Sequence, residues 1–233
     1  MILISFVAIF ISFFTFADSQ VALCEREAQK FGDGQGKDMI PLECLTHVEK
    51  LADKKHKAKS KDGQQSLIAY RNMIFITDHQ SPIKGQNVIA GKYTELVNIK
   101  EILLDEKNQE VVVLEESGDI LFFSIVITGN VAPKRILRHD SLDSVSTIRI
   151  YQDEVLALDP VHQTLLIFSR NANIHALEGK KNLSPLYRFQ NIHGEELELN
   201  LSSHELSVIS QTSSILVDLQ KKLIRTPSAL NQR

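Results

Sequence analysis

The stretch Leu104-Asp105-Glu106-Lys107-Asn108-Gln109-Glu110-Val111-Val112-Val113-Leu114, running on to Gly118-Asp119-Ile120, decides how the chain is read. Its pattern is an apolar run closed by an aspartate, a short polar turn, a second apolar run, another turn and a third run. The same pattern returns as Leu158-Asp159, Leu165 to Phe168 and Ala172-Asn173-Ile174, at an offset of 54 residues. It returns again as Leu199-Asn200, Leu206 to Ile209 and Ser213-Ser214-Ile215, 41 residues further on, with asparagine replacing the aspartate. Upstream, Leu67 to Tyr70, Met73 to Thr77 and Asn87 to Ala90 form a degenerate further copy. Short runs rich in Val, Ile, Leu and Phe between Gly, Asn, Asp and Ser clusters read as antiparallel strands. Their recurrence at 40 to 54 residues reads as four-stranded blades of a β-propeller. The expected fold is therefore mainly β, a small or incomplete propeller of three clear blades and a fourth in outline. An open solenoid-like stack of sheets is the alternative.

Asp105, Asp159 and Asn200 close strands in this reading, and each side-chain oxygen is placed to accept hydrogen bonds from the backbone of the next turn. A group repeated in every blade builds turns; a single asymmetric active site would not repeat. We assign these three a structural role at the end of the innermost strand.

The phrases around the repeat resemble those that recur between blades in bacterial NHL-like and YncE-like β-propeller proteins. They are Asn87-Val88-Ile89-Ala90-Gly91-Lys92-Tyr93-Thr94-Glu95-Leu96 and Gly129-Asn130-Val131-Ala132-Pro133-Lys134-Arg135-Ile136, with Ser184-Pro185-Leu186-Tyr187-Arg188-Phe189 as a worn copy. Leu158-Asp159-Pro160-Val161-His162-Gln163-Thr164-Leu165 resembles those families' first-to-second-strand turn. The resemblance spans residues 66 to 225. Those families are exported or cell-surface proteins, many of them without known catalysis, and the resemblance implies a scaffold for binding rather than for a reaction.

The N-terminus points to export on independent grounds. Ile2 to Phe16 is an uncharged apolar run, too short to span a bilayer comfortably and suited to the core of a signal peptide. Thr15 and Ala17 supply small residues for cleavage, although no Lys or Arg precedes the run. The alternatives are an uncleaved membrane anchor or a buried N-terminal helix; a lipid on Cys24 after Val21-Ala22-Leu23 is a weaker reading because Leu23 is bulky. The only two cysteines, Cys24 and Cys44, then meet an oxidising compartment and are expected to form a disulfide. Each heads an apolar stripe at helical spacing: Cys24, Ala28, Phe31 and Cys44, Val48, Leu51. Gly32, Gly34 and Gly36 separate the stripes, so residues 18–61 read as a stapled helical hairpin followed by a basic linker. A bridge closing such a loop stabilises by about 3 kcal/mol. The expected division is a signal peptide at 1–17, the hairpin and linker at 18–61, the repeats at 62–226 and a tail at 227–233. The expected location is periplasmic or secreted.

Lys50, Lys54, Lys55, Lys57, Lys59 and Lys61 are opposed only by Asp53 in that linker. They form a solvated segment or an electrostatic patch able to rest on anionic lipid. No aromatic interleaves with them, so base stacking on nucleic acid is not expected. With a net charge of -3, the whole chain is no polybasic nucleic-acid binder.

Chemistry-bearing motifs are sparse. His47, His56, His79, His139, His162, His175, His193 and His204 form no HxH or HExxH set. There is no GxSxG elbow, Walker loop or GxGxxG fingerprint on a strand. Glu115-Glu116 and Glu195-Glu196 read as solvated turn charges. No cofactor, metal or catalytic residue is expected, and the leading function is non-enzymatic binding of a protein, peptide or glycan. Its rivals are a lactonase-like metal-dependent hydrolase in a propeller channel and an envelope subunit that closes its β-edge by homo-oligomerisation.

Overall fold

A computed structural model describes Arg26, Lys30 and residues 48–50, 52–79, 86–171, 184–211 and 213–225. Four four-stranded antiparallel sheets, connected as simple meanders, make up nearly all of it. The first holds β1 (Lys57–Lys59), β2 (Gln65–Tyr70), β3 (Met73–Asp78) and β4 (Gln86–Ile89). The second holds β5 (Ile99–Asp105), β6 (Glu110–Glu115), β7 (Ile120–Ser124) and β8 (Arg135–Leu137). The third holds β9 (Thr147–Tyr151), β10 (Glu154–Asp159), β11 (Thr164–Ser169) and β12 (Tyr187–Gln190). The fourth holds β13 (Glu196–Asn200), β14 (Glu205–Ile209), β15 (Ser214–Asp218) and β16 (Leu223–Arg225). The fold is thus mainly β, built of four sheets of the kind that make propeller blades. The chain groups into two compact units, Met1–Val111 with Phe123–Pro133 and Val112–Phe122 with Lys134–Arg233, the boundary crossing the second sheet.

In the first unit, β1 pairs with β2 through Lys57↔Ile68, Ala58↔Leu67 and Lys59↔Ser66. This corrects the basic linker: Lys57 and Lys59 belong to a strand, Lys54 and Lys55 to the 3-10 turn Lys54–His56, and Lys61 to the turn after β1. The repeats therefore begin at residue 57, and the copy read as degenerate is a complete sheet. Pairing with the apolar β2 recruited a lysine-rich segment that strand propensity alone does not mark. The 3-10 turn is capped by Asp53, whose Oδ1 accepts from the backbone N–H groups of Lys55 and His56 at 2.9 and 3.2 Å.

Residues 48–50 are helical, and Val48 is buried with Ala52 against Ile68, Met73, Phe75 and Val88 of the first sheet. Val48, from the apolar stripe of the second helix, thus packs against a β-sheet. Val48→Asp places a charge in this contact and is expected to cost about 3 kcal/mol. Limited proteolysis should then cut near residue 50 well before it does in the parent; unchanged cleavage would mean the helix is not held there. Cys24, Cys44, residues 1–17, the rest of the hairpin and the tail after 225 lie outside the described residues.

In the second unit, the third and fourth sheets share one apolar cluster that includes Leu156, Leu158, Leu165, Ile167, Leu197, Leu206, Val208 and Val217. Every residue of β10 except Glu154 is buried, as suits a central strand covered on both faces. The outer strand β12 is largely exposed.

A six-residue hairpin recurs through both units. Asp105 Oδ1 accepts from Asn108 N, and Asp159 Oδ1 from Val161 N and His162 N. Asn200 Oδ1 accepts from Ser202 N and Ser203 N. Asp218, a fourth copy, accepts from Gln220 N and Lys221 N. Each turn ends on a left-handed residue: Gln109, Gln163, His204 or Lys222. The carbonyls of the first three accept from Ile125, Ile192 and Leu219 respectively, which anchors an otherwise unfavourable conformation.

The strand ordinals correct the repeat alignment. Asp105 and Asn200 close first strands, Asp159 closes a second strand and Asp218 a third. First strands begin at Lys57, Ile99, Thr147 and Glu196, in steps of 42, 48 and 49 residues. The offsets of 54 and 41 matched a turn motif displaced by one strand. Likewise Gly129 to Pro133 lies in the connection from β7 to β8 and not between sheets; there Gly129 bridges to Ile89 and Asn130 Oδ1 accepts from Tyr93 N.

Candidate binding cleft

Two groups of polar side chains in the second unit have the makings of a site. They lie at opposite ends of β10.

At the far end, the turn after β10 brings together Ser144, Asp159 and His162. Ser144 Oγ donates to Asp159 Oδ2 at 2.7 Å, and His162 Nδ1 lies 2.6 Å from the same oxygen and 3.1 Å from Ser144 Oγ. The residue types are those of a hydrolytic triad, but a relay needs the imidazole between serine and carboxylate, one on each ring nitrogen. Here both contact Nδ1, and the serine proton is held by the carboxylate. The cluster braces the turn. Burial alone would raise the Asp159 carboxyl; the His162 backbone N–H, the Ser144 hydroxyl and the His162 ring outweigh it and hold the group below the usual aspartate range.

A depressed native value makes a signed prediction. The stabilisation is complete above the ordinary aspartate pKa of about 3.9 and is lost as pH falls through the lower native value. Asp159→Asn should therefore lower the melting temperature at pH 7, and the gap to the parent should close as both are acidified below about pH 4. A gap that stays constant with pH would contradict the assignment.

At the near end, β9 and β10 are joined by a two-residue turn in which Gln152 has φ 53°. Beside it stands the Asp218-headed turn from β15 to β16. Between them lies an open cleft of about 390 Å³ lined by Tyr151, Gln152, Asp153, Glu154, Leu219, Gln220 and Lys222. Its volume falls within the range of small-molecule sites. Several lining groups are fixed. Tyr151 Oη lies 2.9 Å from His204 Nδ1, and Gln152 Nε2 donates to Tyr151 Oη at 3.3 Å. Lys222 Nζ donates to Glu154 Oε2 at 2.5 Å, and both side chains are mostly buried. The same ammonium lies 5.2 Å from the Tyr187 ring centroid. Burial, then the negative charges of Glu154 and Asp218, push the Tyr151 phenol above its usual range, so it is a neutral hydroxyl at physiological pH.

Among the described residues, the others singled out in the sequence do not converge on the cleft, apart from His204, which meets Tyr151. Asp105 and Asn200 head their own turns. Glu115, read as a solvated turn charge, is a buried residue of β6, because the strand extends one residue further than the pattern indicates; Glu196 is exposed on β13. Among the described residues, no three His, Cys, Asp or Glu side chains form a group able to hold a metal ion, and no helix is long and apolar enough to cross a membrane. Sequence reading missed the cleft because its two walls are some 65 residues apart and neither Tyr151 to Glu154 nor Leu219 to Lys222 carries a known motif.

No family model and no curated protein matches the chain. Among solved structures it is similar to dihydro-heme d1 dehydrogenase NirN in complex with DHE, at 13% identity and a TM-score of 0.49. The match covers 73% of this chain and 35% of that one, so the chain spans about a third of the length of that protein.

Proposed function

We propose that the chain is an exported, non-enzymatic binding or scaffold protein of the periplasm or cell exterior, and that the second-unit cleft receives its partner. The observation that carries this reading is the cleft's organisation. Tyr151, Gln152, Glu154 and Lys222 are locked by one another and by His204, while the Asp153 carboxylate and Gln220 amide have no hydrogen-bond partner among the described residues. Groups held in place before a ligand arrives lose little freedom on binding it. The apolar segment at 1–17, the even count of two cysteines, Cys24 and Cys44, and the NHL-like and YncE-like phrases support export and a binding role. The lysines from Lys50 to Lys61 offer a secondary contact with an anionic surface.

Site-specific photocrosslinking tests the assignment. A benzophenone residue replacing Gln152 or Gln220 should yield a discrete adduct in the native compartment, whereas one replacing Val161 at the opposite end of β10 should not. Equal labelling from all three positions, or none, would refute it.

An envelope subunit that pairs through a sheet edge is the second reading. Leu223 and Ile224 on the outer strand β16 favour it, being 57% and 41% exposed. A sedimentation coefficient that rises with concentration in the parent and not in Leu223→Lys would select it.

A further inference from the structure

We infer that the second-unit cleft is a saccharide subsite, which takes an uncharged sugar through adjacent hydroxyl groups. This deepens the binding reading above and rests on it for the cleft being a place of binding.

The chemistry of the lining selects the class. Six of the seven lining residues end in a phenol, an amide, a carboxylate or an ammonium; Leu219 is the exception and is itself buried. A lining in which polar groups predominate disfavours a lipid tail or an apolar side chain. Asp153 and Glu154 against Lys222 leave the lining with a net negative charge, which disfavours phosphate, carboxylate and nucleic-acid ligands. An ammonium-bearing ligand would engage the Asp153 carboxylate alone, whereas a neutral ligand dense in hydroxyls uses the Gln152 and Gln220 amides as well, and this is the class the lining favours. Each hydroxyl donates one hydrogen bond and accepts others, so it needs acceptors and donors close together.

The cleft provides both in planar groups. The Asp153 carboxylate presents two acceptor oxygens, and the Gln220 amide presents an acceptor and two donors. A planar group of either kind can bond two neighbouring hydroxyls at once. Gln152 spends one amide proton on Tyr151 Oη, which leaves its carbonyl oxygen for a ligand. Glu154 is bonded to Lys222 through Oε2, leaving Oε1 as an acceptor. The Tyr187 ring, 45% exposed beside Lys222, adds an aromatic surface for the C–H face of a sugar next to the cleft.

The test uses the mature full chain in isothermal titration calorimetry and saturation-transfer NMR. The probes are glucose, galactose, mannose, N-acetylglucosamine, cellobiose and chitobiose. At least one should bind saturably, with a dissociation constant in the millimolar range or tighter. The double variant Asp153→Ala, Gln220→Ala should weaken it by about tenfold or more, the loss of about 1.4 kcal/mol. Both side chains are exposed, so the fold is retained, and circular dichroism checks this. His162→Ala, at the other end of β10, should bind as the parent does. Failure of every sugar to bind, or equal binding by the double variant, overturns the inference. If the photocrosslink from Gln152 persists while no sugar binds, only the saccharide assignment falls; if both fail, the binding reading falls with it.

Discussion

Gly118→Ala should destabilise the second unit by about 3 kcal/mol or more, far beyond the usual effect of adding one methyl group. Gly118 follows β6 with φ +85°, a conformation that costs a side-chain-bearing residue about 1 kcal/mol. A Cβ there would also stand 2.3 Å from the Leu142 carbonyl oxygen and 2.5 Å from its carbon. Neither can give way easily. The carbonyl accepts from Val145 N at 3.0 Å, and Leu142 is fully buried in the 3-10 turn Asp140–Leu142 that leads to the third sheet. The clash is with backbone, so no rotamer change relieves it. Gly63→Ala is the matched control: φ is +71° and nothing lies within 4 Å of the new methyl, so only the conformational cost of about 1 kcal/mol applies. Urea unfolding should separate the two variants clearly, and equal midpoints would show that close approach to Leu142 does not hold.

Phe122→Ala should be comparably severe, at about 4 kcal/mol. Phe122 is buried on β7, and the guanidinium carbons of Arg135 and Arg170 lie 4.5 and 6.0 Å from its ring centroid. Truncation removes apolar burial, leaves a cavity and takes the ring's negative face away from two cations, one of them, Arg170, itself buried. Phe122→Leu restores most of the volume but none of the ring. It should therefore cost about 1 to 2 kcal/mol, combining a small packing change with the lost cation–ring attraction. If Leu restored full stability, the arginines would owe nothing to the ring.

These predictions rest on features that the sequence discloses unevenly. The strand runs were legible because Val111 to Leu114, Leu165 to Phe168 and Leu206 to Ile209 sit between turn-forming residues, and they became β6, β11 and β14. Asp105, Asp159 and Asn200 were legible as turn residues because a short carboxylate or amide can reach the backbone two or three positions on. Their strand ordinals were not, since the same hairpin serves any pair of antiparallel strands. Asp218 escaped notice because its turn, Leu219 to Lys222, opens with a leucine that packs into the core. The strand Lys57–Lys59 was masked by its lysines, whose pairing with β2 depends on partners seven to eleven residues away. The cleft was least legible. It exists only because two adjacent sheets bring Tyr151 beside His204 and Glu154 beside Lys222, contacts across 53 and 68 residues.

Native mass spectrometry of the protein purified from the compartment that holds it tests the binding account most directly. The account predicts a chain shortened by about 17 residues, a mass two hydrogens below that of the reduced form, and a non-covalent adduct that the Asp153→Ala, Gln220→Ala variant lacks. A full-length chain without adduct, or an adduct equally retained by the variant, would contradict it.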